Sequence, residues 1–250
     1  MVIRSEHDAK QALKKRAQNL QLCTESLEHK LRVIELCKQS CLFWVENFCF
    51  TYDPRKKSIY HPSFIPYDFQ KNLINDIVSS IQNQNDLLIE KSRDMGATWC
   101  ILYVFQWFWQ FHSGFNFHLG SKKQDNVDVK GDLSTLFEKL RYNIDIQPHW
   151  LLPKGFSLNK HSTLLKIINP ENSNTLTGES CNPNFSRSGR YSGILFDEFA
   201  FWNFDDQAWN AAGDSSPCRI ALSSPYGKNN KFARLRFDTP IKIISLHWSL

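Results

Sequence analysis

Two short stretches carry side chains that together suit a phosphate and a metal ion. The first is Lys91-Ser92-Arg93-Asp94-Met95-Gly96-Ala97-Thr98; the second is the acid pair Asp197-Glu198. In the first, two cations, a glycine and a hydroxyl lie between the apolar Leu87-Leu88-Ile89 and a long apolar run. This is the pattern of a buried strand, a tight turn and a helix N-terminus. There, unpaired N–H groups and the positive end of the helix dipole attract anions. The Thr98 hydroxyl stands where a Mg²⁺ ligand is expected. In the second, Gly193-Ile194-Leu195-Phe196 has buried-strand character and ends in carboxylates. Asp197 suits a hydrated Mg²⁺, and Glu198 suits a general base acting on water.

The turn departs from the usual phosphate-loop spacing, G-x-x-x-x-G-K-[ST]. Counting back from Thr98, Lys91 holds the position of the first glycine, and Ala97 holds that of the lysine. Either Lys91 or Arg93 is left to replace that lysine. Arg187 and Arg190, in a Ser/Asn/Gly-rich stretch just before the acid pair, are further cations available to a phosphate.

These groups need a scaffold that brings separate strand ends together. Alternation at Phe115–Gly120, buried-strand runs at 87–89, 193–196 and 218–222, and helical patterns between them predict βαβ units with a mainly parallel sheet. In such sheets ligands bind at the carboxyl ends of the strands. Residues 163–168 read as a strand, 132–146 as a helix, and Ile241–Trp248 as a last strand. Residues 6–47 have helical periodicity without Gly or Pro and predict two amphipathic helices broken near Thr24. Asp53-Pro54 marks a turn, and a helix opens at Tyr67-Asp68 and runs to about Gln82. Gln70, just ahead of the loop strand, carries an amide able to read an adenine edge.

The composition excludes several classes. With 42% apolar and 22% charged residues, the 250-residue chain is globular rather than disordered. The most apolar run, Trp99–Phe111, is interrupted by Gln106 and Gln110 and is too short for a membrane span. The start lacks the apolar core of a signal peptide. Seven cysteines without a C-x-x-C pair speak against structural zinc and for a reducing compartment. A net charge of +5 suits a polyanionic partner. The most lopsided stretch holds Lys228, Lys231, Arg234, Arg236 and Lys242 against Asp238 alone, a possible DNA-facing edge. The cluster Lys10, Lys14, Lys15 and Arg16 reads mainly as a solvated face, and Lys122 and Lys123 as solvated or phosphate-contacting lysines.

In this order, Lys91–Thr98, Ile194–Glu198 and Ser223-Ser224-Pro225-Tyr226-Gly227-Lys228-Asn229-Asn230 resemble the ATPase domain of the large terminase subunit, the DNA-packaging motor of tailed bacteriophages. Some members of that family carry the loop lysine at the front of the motif, as Lys91 stands here. The resemblance implies an α/β P-loop fold of ASCE type, a three-layer sandwich with a mainly parallel sheet. Residues 49–250 would form it, after a helical segment over 1–48. It implies ATP and Mg²⁺ as cofactors, with Gln70 on adenine and the loop Lys91, Ser92, Arg93, Asp94, Met95, Gly96, Ala97 and Thr98 on phosphates. Thr98 and Asp197 would hold the metal and Glu198 would activate water. Arg93, Arg187 or Arg190 would serve as arginine finger, in cis or across a subunit boundary, and Ser223 and Ser224 would couple hydrolysis to movement. The implied partners are double-stranded DNA, the small terminase subunit, the portal protein and further copies in a ring, in the cytoplasm of a bacterial host, with no membrane. The nuclease domain usual in the family is not expected within this chain, so cutting of DNA is not expected of it. The alternatives are a catalytically idle prophage fragment that only binds DNA or packaging partners, and a helicase-like ATPase.

Overall fold

A computed structural model describes residues 6–53 and 62–249; the expected Asp53-Pro54 turn extends outside the described residues. Among these, the helices are α1 (Glu6–Glu25), α2 (Leu27–Gln39), α3 (Cys41–Phe48), α4 (Asp68–Gln82), α5 (Ala97–Phe111), α6 (Gln124–Val127), α7 (Leu136–Ile146), α8 (Leu158–His161), α9 (Asp205–Gly213) and α10 (Lys231–Asp238). The strands are β1 (Leu87–Lys91), β2 (Phe117–Ser121), β3 (Ser162–Thr163), β4 (Lys166–Ile168), β5 (Thr175–Ser180), β6 (Gly193–Asp197), β7 (Arg219–Ser223) and β8 (Lys242–Leu246).

The strands form one sheet in the order β3-β4-β5-β2-β6-β7-β1-β8. From β5 to β8 every pairing is parallel, so the carboxyl ends of β1, β2, β6 and β7 share one edge. Antiparallel pairing in this sheet is confined to β3–β4 and β4–β5. The single strand expected over 163–168 is instead a tight hairpin, because Leu165 turns the chain at φ 58°.

The central strands are apolar throughout because both faces are covered. Leu87, Ile89, Phe117, Leu119, Leu195 and Leu222 enter one core with α4, α5 and α7. Leu88, Ile194, Phe196 and Ala221 enter a second core with Trp202, Trp209, Phe232 and Leu235. Helices, sheet and helices therefore make three layers of an α/β P-loop fold. The buried glutamines of α5 fit because Gln106 accepts from Asn143 at 2.8 Å and Gln110 donates to Gln147 at 3.1 Å and to the Leu151 carbonyl at 2.9 Å. Buried amides cost little once paired. Among the described residues no helix is long and apolar enough to cross a membrane.

The N-terminal segment contains three helices rather than two. Ser26 caps α2 by accepting from the His29 N–H, close to the break expected at Thr24. Ser40 does the same for α3 from the Phe43 N–H, a second cap that starts a new helix within an unbroken periodicity. These helices join the first core: Trp107 Nε1 donates to the Cys37 carbonyl at 2.7 Å, and Trp44 Nε1 to Gln147 Oε1 at 3.1 Å. Arg16, expected on a solvated face, is buried. It donates to the Cys49 carbonyl at 2.8 Å and stacks over Phe50.

Gly120 in β2 leaves room for side chains of the second core. A Cβ there would stand 2.4 Å from Phe185 Cζ and 2.7 Å from Trp202 Cη2. Gly120→Ala is expected to destabilise the fold by about 1–3 kcal/mol, a drop of several degrees in a thermal melt.

Candidate functional site

The shared sheet edge assembles the two sequence motifs. β1 ends at Lys91, β6 at Asp197, β7 at Ser223 and β2 at Ser121, with β7 lying between β1 and β6. The chain then turns sharply out of β1. Asp94 has φ 64°, and Gly96 has φ 70° at the start of α5. At Gly96 a side chain would meet strain and also the Gln70 amide, whose nitrogen would lie 2.7 Å from an added Cβ.

Thr98, in the first turn of α5, donates its hydroxyl to Asp197 Oδ1 at 3.1 Å, and Ser121 donates to Asp197 Oδ2 at 3.5 Å. Lys91 Nζ pairs with Glu198 Oε1 at 2.8 Å, with the lysine side chain only 10% exposed. The motifs thus meet in two direct contacts. Burial pushes the Asp197 carboxyl up to about 6, and Glu198 pushes the same way. Lys139, Lys91 and the Thr98 hydroxyl oppose it. Glu198 itself sits at φ 52°, in the left-handed region. That costs on the order of 1–3 kcal/mol for a residue with a Cβ, and such strain concentrates at functional sites.

Gln70 is buried, and both ends of its amide are engaged. Oε1 accepts from the Tyr67 N–H at 3.0 Å, and Nε2 donates to the Met95 carbonyl at 2.9 Å, so it ties the start of α4 to the turn between β1 and α5. Arg93 and Asp94 are exposed at the loop tip, and Ser92 Oγ accepts from the Trp248 N–H at 3.3 Å. Arg187 and Arg190 are exposed, and among the described residues neither is hydrogen-bonded or ion-paired to the acid pair; Arg190 Nη1 donates to the Gly189 carbonyl at 3.0 Å. Ser223 is fully buried and accepts from the Ala200 N–H at 3.2 Å, which links the end of β7 to the turn after Glu198; Ser224 is half-buried.

Two groups at the site carry no signal in the sequence. Ser121 is simply the last residue of a strand. Lys139 reads as a polar position on a helix with an apolar face, yet α7 carries it to the site. Its ammonium donates to the Ser134 and Thr135 carbonyls and lies 5.8 Å from the Trp99 ring centroid. Burial lowers its pKa, and the charge of Asp197 raises it again. Only a fold that brings α7 to the tip of β6 makes this lysine legible.

The oxygens of Thr98, Ser121 and Asp197 form a hard donor set that suits Mg²⁺. Among the described residues no three His, Cys, Asp or Glu side chains gather to hold a metal alone. That fits a cation bound through one carboxylate, with waters and a ligand's phosphates completing its shell.

No protein-family model matches the chain, and no curated protein matches it. Its fold is that of solved large terminases. The HK97 bacteriophage large terminase aligns with a TM-score of 0.58 at 14% identity, over 84% of this chain and 43% of that one. The large terminase from the thermophilic bacteriophage D6E aligns at 0.51 with 14% identity, over 73% and 46%. The same D6E protein in complex with ADP aligns at 0.50 with 16% identity, over 72% and 44%. The chain therefore spans less than half the length of the proteins whose fold it shares.

The raised pKa of Asp197 makes a stability prediction. A group whose folded pKa is raised stabilises the fold only while protonated, so ionised Asp197 is a net cost above about pH 6. Asp197→Asn keeps an acceptor for Thr98 and removes the charge. It is expected to be more stable than wild type at pH 8 by about 1–3 kcal/mol, with the difference fading as pH falls through 6 toward 4. Chemical denaturation at both ends of that range checks it.

Proposed function

We propose that this chain is the ATP-hydrolysing motor part of a viral DNA-packaging terminase, coupling Mg-ATP hydrolysis to movement of double-stranded DNA into a procapsid. The observation that carries this reading is the double contact of Thr98 with Asp197 and Lys91 with Glu198, at the carboxyl edge of a sheet built like those of large terminases. The D6E protein, solved with ADP, supports a nucleotide as the ligand.

In this reading the N–H groups of Gly96, Ala97 and Thr98 cradle phosphate oxygens at the positive end of α5. Lys91 supplies the charge that the usual loop lysine would bring, and Arg93 adds a second cation from the loop tip. Thr98 and Asp197 hold Mg²⁺, which when bound offsets the triphosphate's negative charge. Glu198 orients the attacking water and takes its proton. Before nucleotide arrives, Glu198 is held by Lys91. A triphosphate competes for the same ammonium, so phosphate binding and release of the base are one event. Gln70 fixes the loop and contacts adenine through its remaining donor and acceptor. Ser223 joins the end of β7 to the turn after Glu198, a path by which hydrolysis moves the segment 224–230. One of Arg93, Arg187 and Arg190 completes charge neutralisation, in cis or from a neighbouring copy in a ring. The small terminase subunit and portal protein belong to this reading as packaging partners, in the host cytoplasm.

Phosphate release, measured with and without duplex DNA, tests it. Wild type is expected to turn over. Glu198→Gln is expected to lose about 10²–10⁴ in rate while still binding nucleotide, and Lys91→Ala to lose nucleotide affinity. Undiminished turnover in Glu198→Gln would remove Glu198 from the mechanism. Wild type that binds DNA yet neither binds nor hydrolyses ATP would identify an idle binding fragment instead.

A further inference from the structure

The basic stretch after β7 is largely neutralised in the folded chain. Lys231 and Arg234 pair with Asp206, Arg236 with Glu90, and Lys242 with Asp76. These acids are remote in sequence, so the edge expected from composition is mostly spent on holding α10 and β8 in place. Lys228 is left: it is exposed and has no ion pair among the described residues. It rims a groove of about 470 Å³ that Lys122, Asn203, Tyr226 and Asn229 also line. All five side chains are exposed. Asp205, an acid of the same groove, has a carboxylate oxygen taken by the Lys231 N–H. Tyr226, 63% exposed, is propped by Phe201 with ring centroids 4.5 Å apart.

We propose that this groove grips the phosphate backbone of duplex DNA without reading sequence. The choice of DNA rests on the motor reading above. The groove presents two ammonium groups, Lys122 and Lys228, without an ion pair among the described residues, flanked by the amides of two asparagines and a tyrosine hydroxyl, which are the group types that contact phosphate and sugar oxygens. Its placement adds a second argument. One wall follows β6 and carries Phe201 and Asn203; the other follows β7 and carries Tyr226, Lys228 and Asn229. The Ala200 N–H to Ser223 hydrogen bond joins the roots of the two walls, and Glu198 lies two residues before Ala200. A shift at the acid pair therefore changes the spacing of the walls, and with it the grip.

The test is equilibrium binding of the chain to a short fluorescent duplex of arbitrary sequence across a salt series, beside binding of a fluorescent ADP. Lys122→Ala/Lys228→Ala is expected to weaken duplex binding about tenfold or more and to flatten the slope of log K against log salt by about two, with ADP binding unchanged. Tyr226→Ala is expected to weaken binding without changing the slope, and Lys122→Arg/Lys228→Arg to retain it. Lys14→Ala/Lys15→Ala removes the same charge from an exposed helix face and is expected to leave the slope as in wild type. Wild-type affinity and slope in Lys122→Ala/Lys228→Ala would overturn the groove assignment, as would an equal loss in Lys14→Ala/Lys15→Ala or a wild type that hydrolyses ATP but binds no duplex. The motor reading is decided separately, by nucleotide binding and turnover in the unmutated chain.

Discussion

Parallel pairing of β6, β7 and β1 is the constraint on which the rest depends. Parallel strands all end at one edge, so a cationic turn leaving β1 and a carboxylate pair leaving β6 meet although about a hundred residues separate them. The same pairing demands cover on both faces, which explains two cores and strands without polar alternation. An antiparallel β6 would have sent Asp197 to the opposite edge.

That edge is costly to maintain. Asp197, its carboxyl buried beside the charge of Glu198, resists ionisation. Lys91, Lys139 and two hydroxyls offset the cost in part, and the left-handed turn at Glu198 adds strain. Such an arrangement is poor for stability and suits a cation, which would supply the missing positive charge. Trading stability for charge placement in this way is common at binding and catalytic sites.

Much of this was legible in the sequence, and the reasons for the remainder are specific. Uniformly apolar strands, a glycine before a long buried helix and a strand ending in Asp-Glu are local signals, and the sheet, α5 and the acid pair follow from them. Ser40 went unread because a cap serine inside an unbroken apolar period looks like any surface serine. The hairpin at Leu165 hid because a leucine with positive φ is rarely the residue that turns a chain. The ion pairs of α10, the burial of Arg16 and the approach of Lys139 depend on partners in other elements of the fold, and composition has no access to them. The internal bonds of Gln70 to the Tyr67 N–H and the Met95 carbonyl likewise depend on the folded turn and carry no local signal.

The position of Gln70 has a thermodynamic consequence. With one hydrogen bond made from each end of its amide, it keeps a single N–H and a single lone pair for anything else. Under the proposed function, a purine that takes them would fix the amide plane, and through Met95 the turn ahead of α5. Base affinity and turn geometry then share one coupling free energy. Under that same proposal, reciprocity means that whatever tightens the turn from the phosphate side would raise base affinity by the same factor.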